Sequence, residues 1–128
     1  MDARPRPLSP HLQIYRFTLT MAMSIMHRGT GMAMYFGTLL IVLWLGAAAL
    51  GDGPLGVVNA IYGFWLVQVI LFLATCALFY HLMSGLRFLL WDTGHLTEHP
   101  AREWLARIAL AASIVLTLGA WALFVWFR

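Results

Sequence analysis

Three long intervals of this chain contain no Asp, Glu, Lys or Arg: 23 residues between Arg28 and Asp52, 34 between Asp52 and Arg87, and 20 between Arg107 and Arg128. A helix needs roughly 20 apolar residues to cross a hydrocarbon core about 30 Å thick. Three charge-free intervals predict three spans. Composition points the same way, with 62% of the 128 residues hydrophobic, 10% charged and a mean hydropathy of +0.81. A soluble domain of this size needs more charged surface than that.

The charges that remain are unevenly placed. All eight basic residues are Arg, and the formal net charge is +3. They are not clustered into the stripe that tracks phosphates, so nucleic acid is excluded as the expected partner. Arg4, Arg6, Arg16 and Arg28 precede the first interval, and Arg87, Arg102 and Arg107 lie between the second and third. The first connection carries Asp52, and the far end carries Arg128. The positive-inside rule then puts the N-terminus and second loop on the cytoplasmic side and the C-terminus on the periplasmic side. The first 16 residues lack the apolar stretch of a secretory signal and the amphipathic character of a mitochondrial transit peptide. A bacterial cytoplasmic (inner) membrane is the expected address, in preference to the mitochondrial inner membrane. The single Cys76 falls inside the second interval, where it reads as a small packing residue.

The expected architecture is all-α, one membrane domain over residues 1–128. Pro5, Pro7 and Pro10 disfavour helix in a cytoplasmic leader over residues 1–20. Helix 1 is expected at about 21–50, closed by the turn cluster Gly51–Pro54. Helix 2 is expected at about 57–91, longer than a bilayer requires, and helix 3 at about 101–127. Six tryptophans fall mostly near these ends, where indoles favour the interface. Three helices are few for a self-contained transporter, and no paired halves are visible. Such a chain calls for a membrane partner, a second copy or another subunit.

The polar residues within the spans are the candidates for chemistry. His81 sits six residues before Arg87 in an apolar helix, roughly 9 Å inside by helix rise. An ionisable group at that depth faces protein and has a partner. Two readings stay open: a neutral imidazole hydrogen-bonded to a neighbouring helix, or a metal ligand of the kind that holds haem iron. Ser84 and Gly85, at i+3 and i+4, would leave room for a flat macrocycle. At the entry to the first span, Ser24, His27 and Arg28 share one helical face through i, i+3 and i+4 spacing. Arg28 reads either as snorkelling to the headgroups or as the cation of a ligand pocket with Ser24. The glycines of Gly29–Gly31 remove bulk beside it, for a ligand or for helix packing.

Three stretches together carry a family resemblance: "RPLSPHLQIYR" (6–16), "SIMHRGTG" (24–31) and "HLMSGLRFLLWDTG" (81–94). In this order and topology they resemble the cytochrome b subunit of succinate dehydrogenase, respiratory complex II. The resemblance implies a three-helix anchor bundled with a second small three-helix membrane-anchor subunit, the pair holding one haem b. It implies that His81 is one axial ligand and that the second anchor supplies the other. It also implies a ubiquinone site lined by Ser24 and Arg28, close to the iron–sulfur subunit, with the flavoprotein subunit beyond it. His27 and Arg28 fall where haem propionates are expected. Asp92 matches the acidic residue that closes the second motif; plain loop solvation is its first reading, and a role near the quinone or its proton supply is the alternative. The chain departs from many relatives by carrying Phe88 after Arg87, where they have a second His. His11, His95 and His99 receive no haem role.

The expected function is therefore transfer of electrons from succinate oxidation to quinone, the oxidation itself occurring in partner subunits. Two other readings compete: a haem-free membrane anchor or assembly protein, and the anchor of a fumarate reductase.

Overall fold

A computed structural model describes residues 14–127. Most of the expected leader lies outside the described residues, as do His11 and Arg128. The described chain is helical, in the order α1 (Leu19–Leu50), α2 (Asp52–Tyr62), α3 (Trp65–Asp92) and α4 (Ala101–Trp126). Three of these, α1, α3 and α4, are long and apolar enough to cross a membrane. At 32 residues α1 is about 48 Å long. A helix closes its backbone hydrogen bonds within one segment, which is why hydrocarbon selects it.

Each boundary has a local cause. Thr18 begins α1, its Oγ1 accepting from the Met21 N–H at 3.4 Å. Gly51 ends α1 at φ +105°, a conformation that an L side chain resists. The turn is shorter than the sequence pattern suggests. Asp52, Gly53 and Pro54 already form the first turn of α2, where an acidic side chain suits the helix dipole and a proline has no hydrogen bond to lose.

The single helix expected over 57–91 is two helices. Phe64, at φ −68° and ψ 133°, takes an extended backbone that separates α2 from α3. Side-chain bonds hold this break. Trp44 Nε1 donates to Asn59 Oδ1 at 3.0 Å, and the Tyr62 hydroxyl donates to the Leu40 carbonyl at 2.5 Å, tying α2 back onto α1. Gln68 Nε2 donates to the Tyr62 carbonyl, bridging α2 to α3. Apolar periodicity cannot foresee such a break, because the residues around it are apolar whether or not the helix continues.

α3 packs against both α1 and α4. The buried residues are small or polar: Ala77, Tyr80, Ser84 and Arg87 on α3, and Ala106, Ala109, Ser113 and Thr117 on α4. The large apolar side chains point outward, Leu39, Phe36, Val115 and Leu118 among them. That is the reverse of a water-soluble domain. It suits a bundle whose solvent is as apolar as leucine, so that close approach of small residues, not apolar burial, joins the helices.

α1 and α3 run antiparallel in a register fixed by contacts along their length. Gly37 faces Ala74, Gly31 faces His81, and His27 faces Gly85. Lower still, the Tyr80 hydroxyl donates to the Met23 carbonyl at 2.7 Å. Met23, Tyr80, Ala106 and Ala109 form the core where α1, α3 and α4 meet, with Met83 and Leu110 packed against it. This end of the bundle carries the polar residues singled out in the sequence, Ser24, His27, Arg28 and His81.

Candidate functional site

The antiparallel register brings two histidines from different helices face to face. The rings of His27 and His81 stack with centroids 3.9 Å apart and planes 15° from parallel. Nδ1 of His81 lies 3.2 Å from the His27 carbonyl oxygen and 3.3 Å from Thr30 Oγ1. A carbonyl can accept but has no proton to give, so Nδ1 is the protonated nitrogen. The other nitrogen, Nε2, then holds the lone pair. It makes no hydrogen bond with a described residue and is not sealed inside the chain.

One face of α1 forms the cradle for this ring. His27, Thr30 and Gly31 are spaced i, i+3 and i+4, which stacks them on one side of the helix. His27 supplies the stacking plane and the carbonyl, and Thr30 supplies a hydroxyl. Gly31 supplies a gap: a Cβ there would stand 3.3 Å from His81 Cε1 and 3.7 Å from Nδ1. Across from it, a Cβ on Gly85 would lie an ordinary 3.9 Å from His27 Cε1.

Below the histidines lies Arg87, which the sequence pattern used only to orient the chain. Arg87 is 1% exposed, buried among apolar neighbours. Its Nη1 donates to Met23 Sδ at 3.4 Å, a weak acceptor. Its guanidinium carbon sits 4.9 Å from the Phe88 ring centroid and 4.7 Å from that of Trp91, within cation–π range. Nε and Nη2 have no hydrogen-bond partner among the described residues. Phe88 also meets the His27 ring edge-on at 5.1 Å. The residue standing in place of a second histidine thus packs between His27 and Arg87. The signal for Arg87 was present in the sequence as Tyr80, Ser84, Arg87 and Trp91, one stripe at i, i+4, i+7 and i+11.

The other candidates are placed differently. Ser24 is half-buried, and Arg28 and Asp92 are exposed. None of the three makes a hydrogen bond or ion pair with a described residue. The structure therefore joins His27 to His81 and leaves Ser24 and Arg28 as a polar edge on the outside of α1. Asp92 is the last residue of α3, eleven residues and about 16 Å of helix rise beyond His81. Ser84, expected beside His81, is wholly buried in the core. No group of three or more His, Cys, Asp or Glu among the described residues could chelate a metal. As a metal ligand His81 would be a single donor, needing a second from elsewhere.

Comparison with known proteins gives the chain its family. The family model for the succinate dehydrogenase/fumarate reductase transmembrane subunit matches residues 2–120. The succinate dehydrogenase cytochrome b556 subunit of Paracoccus denitrificans is 41% identical over 113 residues, 88% of this chain and 87% of the relative. The subunit of the same name from Rickettsia felis is 33% identical over 91% of this chain and 90% of its own length. The mitochondrial succinate dehydrogenase cytochrome b560 subunit of Mus musculus is 38% identical over 89% of this chain and 68% of the relative.

Proposed function

The chain belongs to the succinate dehydrogenase/fumarate reductase transmembrane subunit family, and on that premise we propose that it anchors a succinate:quinone oxidoreductase and helps to hold haem b. The observation that carries this reading is the state of His81. Its Nδ1–H is committed to the His27 carbonyl, which leaves Nε2 free to ligate, the arrangement found in histidine ligands generally. Gly31 leaves the space that the ring needs. The donor set fits haem b: His81 would hold the iron from this chain, and a residue of a second anchor subunit would supply the other ligand. When bound, haem supplies a one-electron carrier at that depth.

Ser24 and Arg28 form the proposed quinone edge. Arg28, exposed and without a partner among the described residues, is available to polarise a quinone carbonyl, and Ser24 to donate a hydrogen bond to it. Two electrons from succinate oxidation, delivered by the iron–sulfur and flavoprotein subunits, and two protons convert ubiquinone to its quinol there. For Asp92, exposed at the end of α3, the proposed role is proton exchange with the quinone edge, against plain loop solvation. The proposed orientation is N-terminus cytoplasmic and C-terminus periplasmic, from the arginine distribution.

One feature favours a competing reading. The His27–His81 stack gives His81 a protein partner without any metal, as a haem-free anchor would have. A reduced-minus-oxidised spectrum of the purified complex separates the two. The haem reading expects a low-spin b-type band that His81→Ala removes or shifts, and an unchanged band in that variant defeats it. For the quinone edge, Arg28→Ala is expected to lose quinone reduction while succinate oxidation by a soluble dye continues.

A further inference from the structure

Thr30 lies one helical turn from His27 on α1, and its hydroxyl has three neighbours. Oγ1 is 2.9 Å from the Met26 carbonyl, 3.0 Å from the His27 carbonyl and 3.3 Å from His81 Nδ1. A hydroxyl has one proton and two lone pairs. The carbonyls can only accept, so the proton goes to one of them, with Met26 the nearer. The lone pairs are then left for His81. Since the His27 carbonyl already requires Nδ1 to carry its proton, Nδ1–H has two acceptors, a backbone carbonyl and a threonine hydroxyl.

We propose that Thr30 is a positioning residue for His81: its hydroxyl accepts from Nδ1–H, turns the imidazole to a fixed angle and raises the donor strength of Nε2. The stack on His27 fixes the plane of the ring, but a stacked ring can still rotate within that plane. Two acceptors on one side of Nδ1 remove this freedom. An acceptor on the distal nitrogen also increases ligand basicity, which favours the more highly charged state of a bound metal. The His27 carbonyl is held by its own helix and no side-chain substitution removes it. Thr30 is the adjustable half of the pair.

The inference rests on the reading of His81 as a haem ligand, and the test separates the two. The variants are Thr30→Val, Thr30→Ala, Thr30→Ser, His81→Ala and Thr38→Val, each made in the complex purified with its partner subunits. Thr38 is the control, because it makes the same kind of backbone bond in α1, to the Tyr35 carbonyl at 2.6 Å, on an exposed face. The readouts are the haem-to-protein ratio, the low-spin electron paramagnetic resonance spectrum and the midpoint potential. Thr30→Val is expected to keep its haem, alter the low-spin spectrum and move the potential positive, because the ligand becomes a weaker donor. Thr30→Ser is expected to restore both, and Thr38→Val to match the parent. If Thr30→Val does not assemble, Thr30→Ala is read in its place.

A Thr30→Val potential and spectrum equal to those of Thr38→Val would overturn the proposal. So would a shift that Thr30→Ser fails to reverse, since bulk and not the hydroxyl would then be responsible. Failure of both hydroxyl-free variants to assemble, with Thr30→Ser intact, also overturns it by making the hydroxyl a requirement of the bundle. An unchanged haem spectrum in His81→Ala removes the ligand reading itself, and the Thr30 proposal with it.

Discussion

Two glycines in one short motif are expected to respond oppositely to the same methyl group. Gly29 and Gly31 lie two residues apart in α1, and alanine at either position gains about 1 kcal/mol of helix propensity. At Gly29 a Cβ meets nothing within 4 Å, so Gly29→Ala should keep that gain. At Gly31 it would stand 3.3 Å from His81 Cε1, a few tenths of an ångström inside the optimal carbon separation of roughly 3.5–4.0 Å. The ring cannot yield freely, because His27 stacks on it and two acceptors hold Nδ1 at 3.2 and 3.3 Å. Those bonds are already long, and a further few tenths takes them out of hydrogen-bonding range. Losing them costs about 0.5–1.5 kcal/mol each, and forcing the contact costs about 1–3 kcal/mol. The ring either yields or is compressed, so one of these costs applies; after the propensity gain, Gly31→Ala should be destabilised by up to about 2 kcal/mol, and the two variants should differ by about 1–3 kcal/mol. Thermal unfolding of the purified subunit in detergent micelles, followed by circular dichroism, reads this difference. A Gly31→Ala protein as stable as Gly29→Ala would refute the cradle, since His81 would then have room that the structure denies it.

Other substitutions probe the same packing. Tyr80→Phe removes the buried bond to the Met23 carbonyl and should cost about 0.5–1.5 kcal/mol in the same assay. Ala106, 0% exposed at the α3–α4 contact, should not tolerate leucine: Ala106→Leu is expected to cost about 1–3 kcal/mol, whereas Ala111→Leu, on an exposed face, should be near neutral. Glu103 approaches His99 at 3.4 Å and Arg107 at 3.8 Å on the surface. Glu103→Gln should change stability by less than about 1 kcal/mol, and added salt should shrink the difference further.

The sequence made the spans legible because charge is so costly in hydrocarbon that its absence over 20 residues is a signal in itself. It made His81 legible for the same reason, as an ionisable group where few belong. Other features depended on tertiary contacts. The break at Phe64 is held by Trp44, Tyr62 and Gln68, and hydropathy does not register such bonds. The pairing of His27 with His81 needs the register of α1 against α3. Helical spacing put His27 on a face with Ser24 and Arg28, but a span of 100° of helix surface includes both the side that meets α3 and the side that does not. Thr30 was hidden between two glycines, in a motif equally consistent with packing.

Arg28 and Arg87 show why a chemical type in a membrane chain does not state its own role. Both guanidiniums belong to the same end of the bundle, and neither has an acidic partner among the described residues. Arg28 lies on the exposed side of α1, where its side chain can reach water, a headgroup or a ligand without moving a helix. Arg87 is enclosed, with two aromatic rings and a thioether as its surroundings. Those contacts are each worth about 0.5–2 kcal/mol, against a cost of several kcal/mol for burying a charge. A residue kept inside at that cost is part of the frame around His27, and it cannot meet a ligand unless α1 and α3 separate. The free arginine suits exchange of a substrate, and the enclosed one suits a permanent structure. Burial divides this end of the bundle in two: Arg28 and Ser24 form the accessible edge, where the proposed function would put chemistry with a mobile quinone, and His27, Thr30, Gly31 and Arg87 form the fixed cradle.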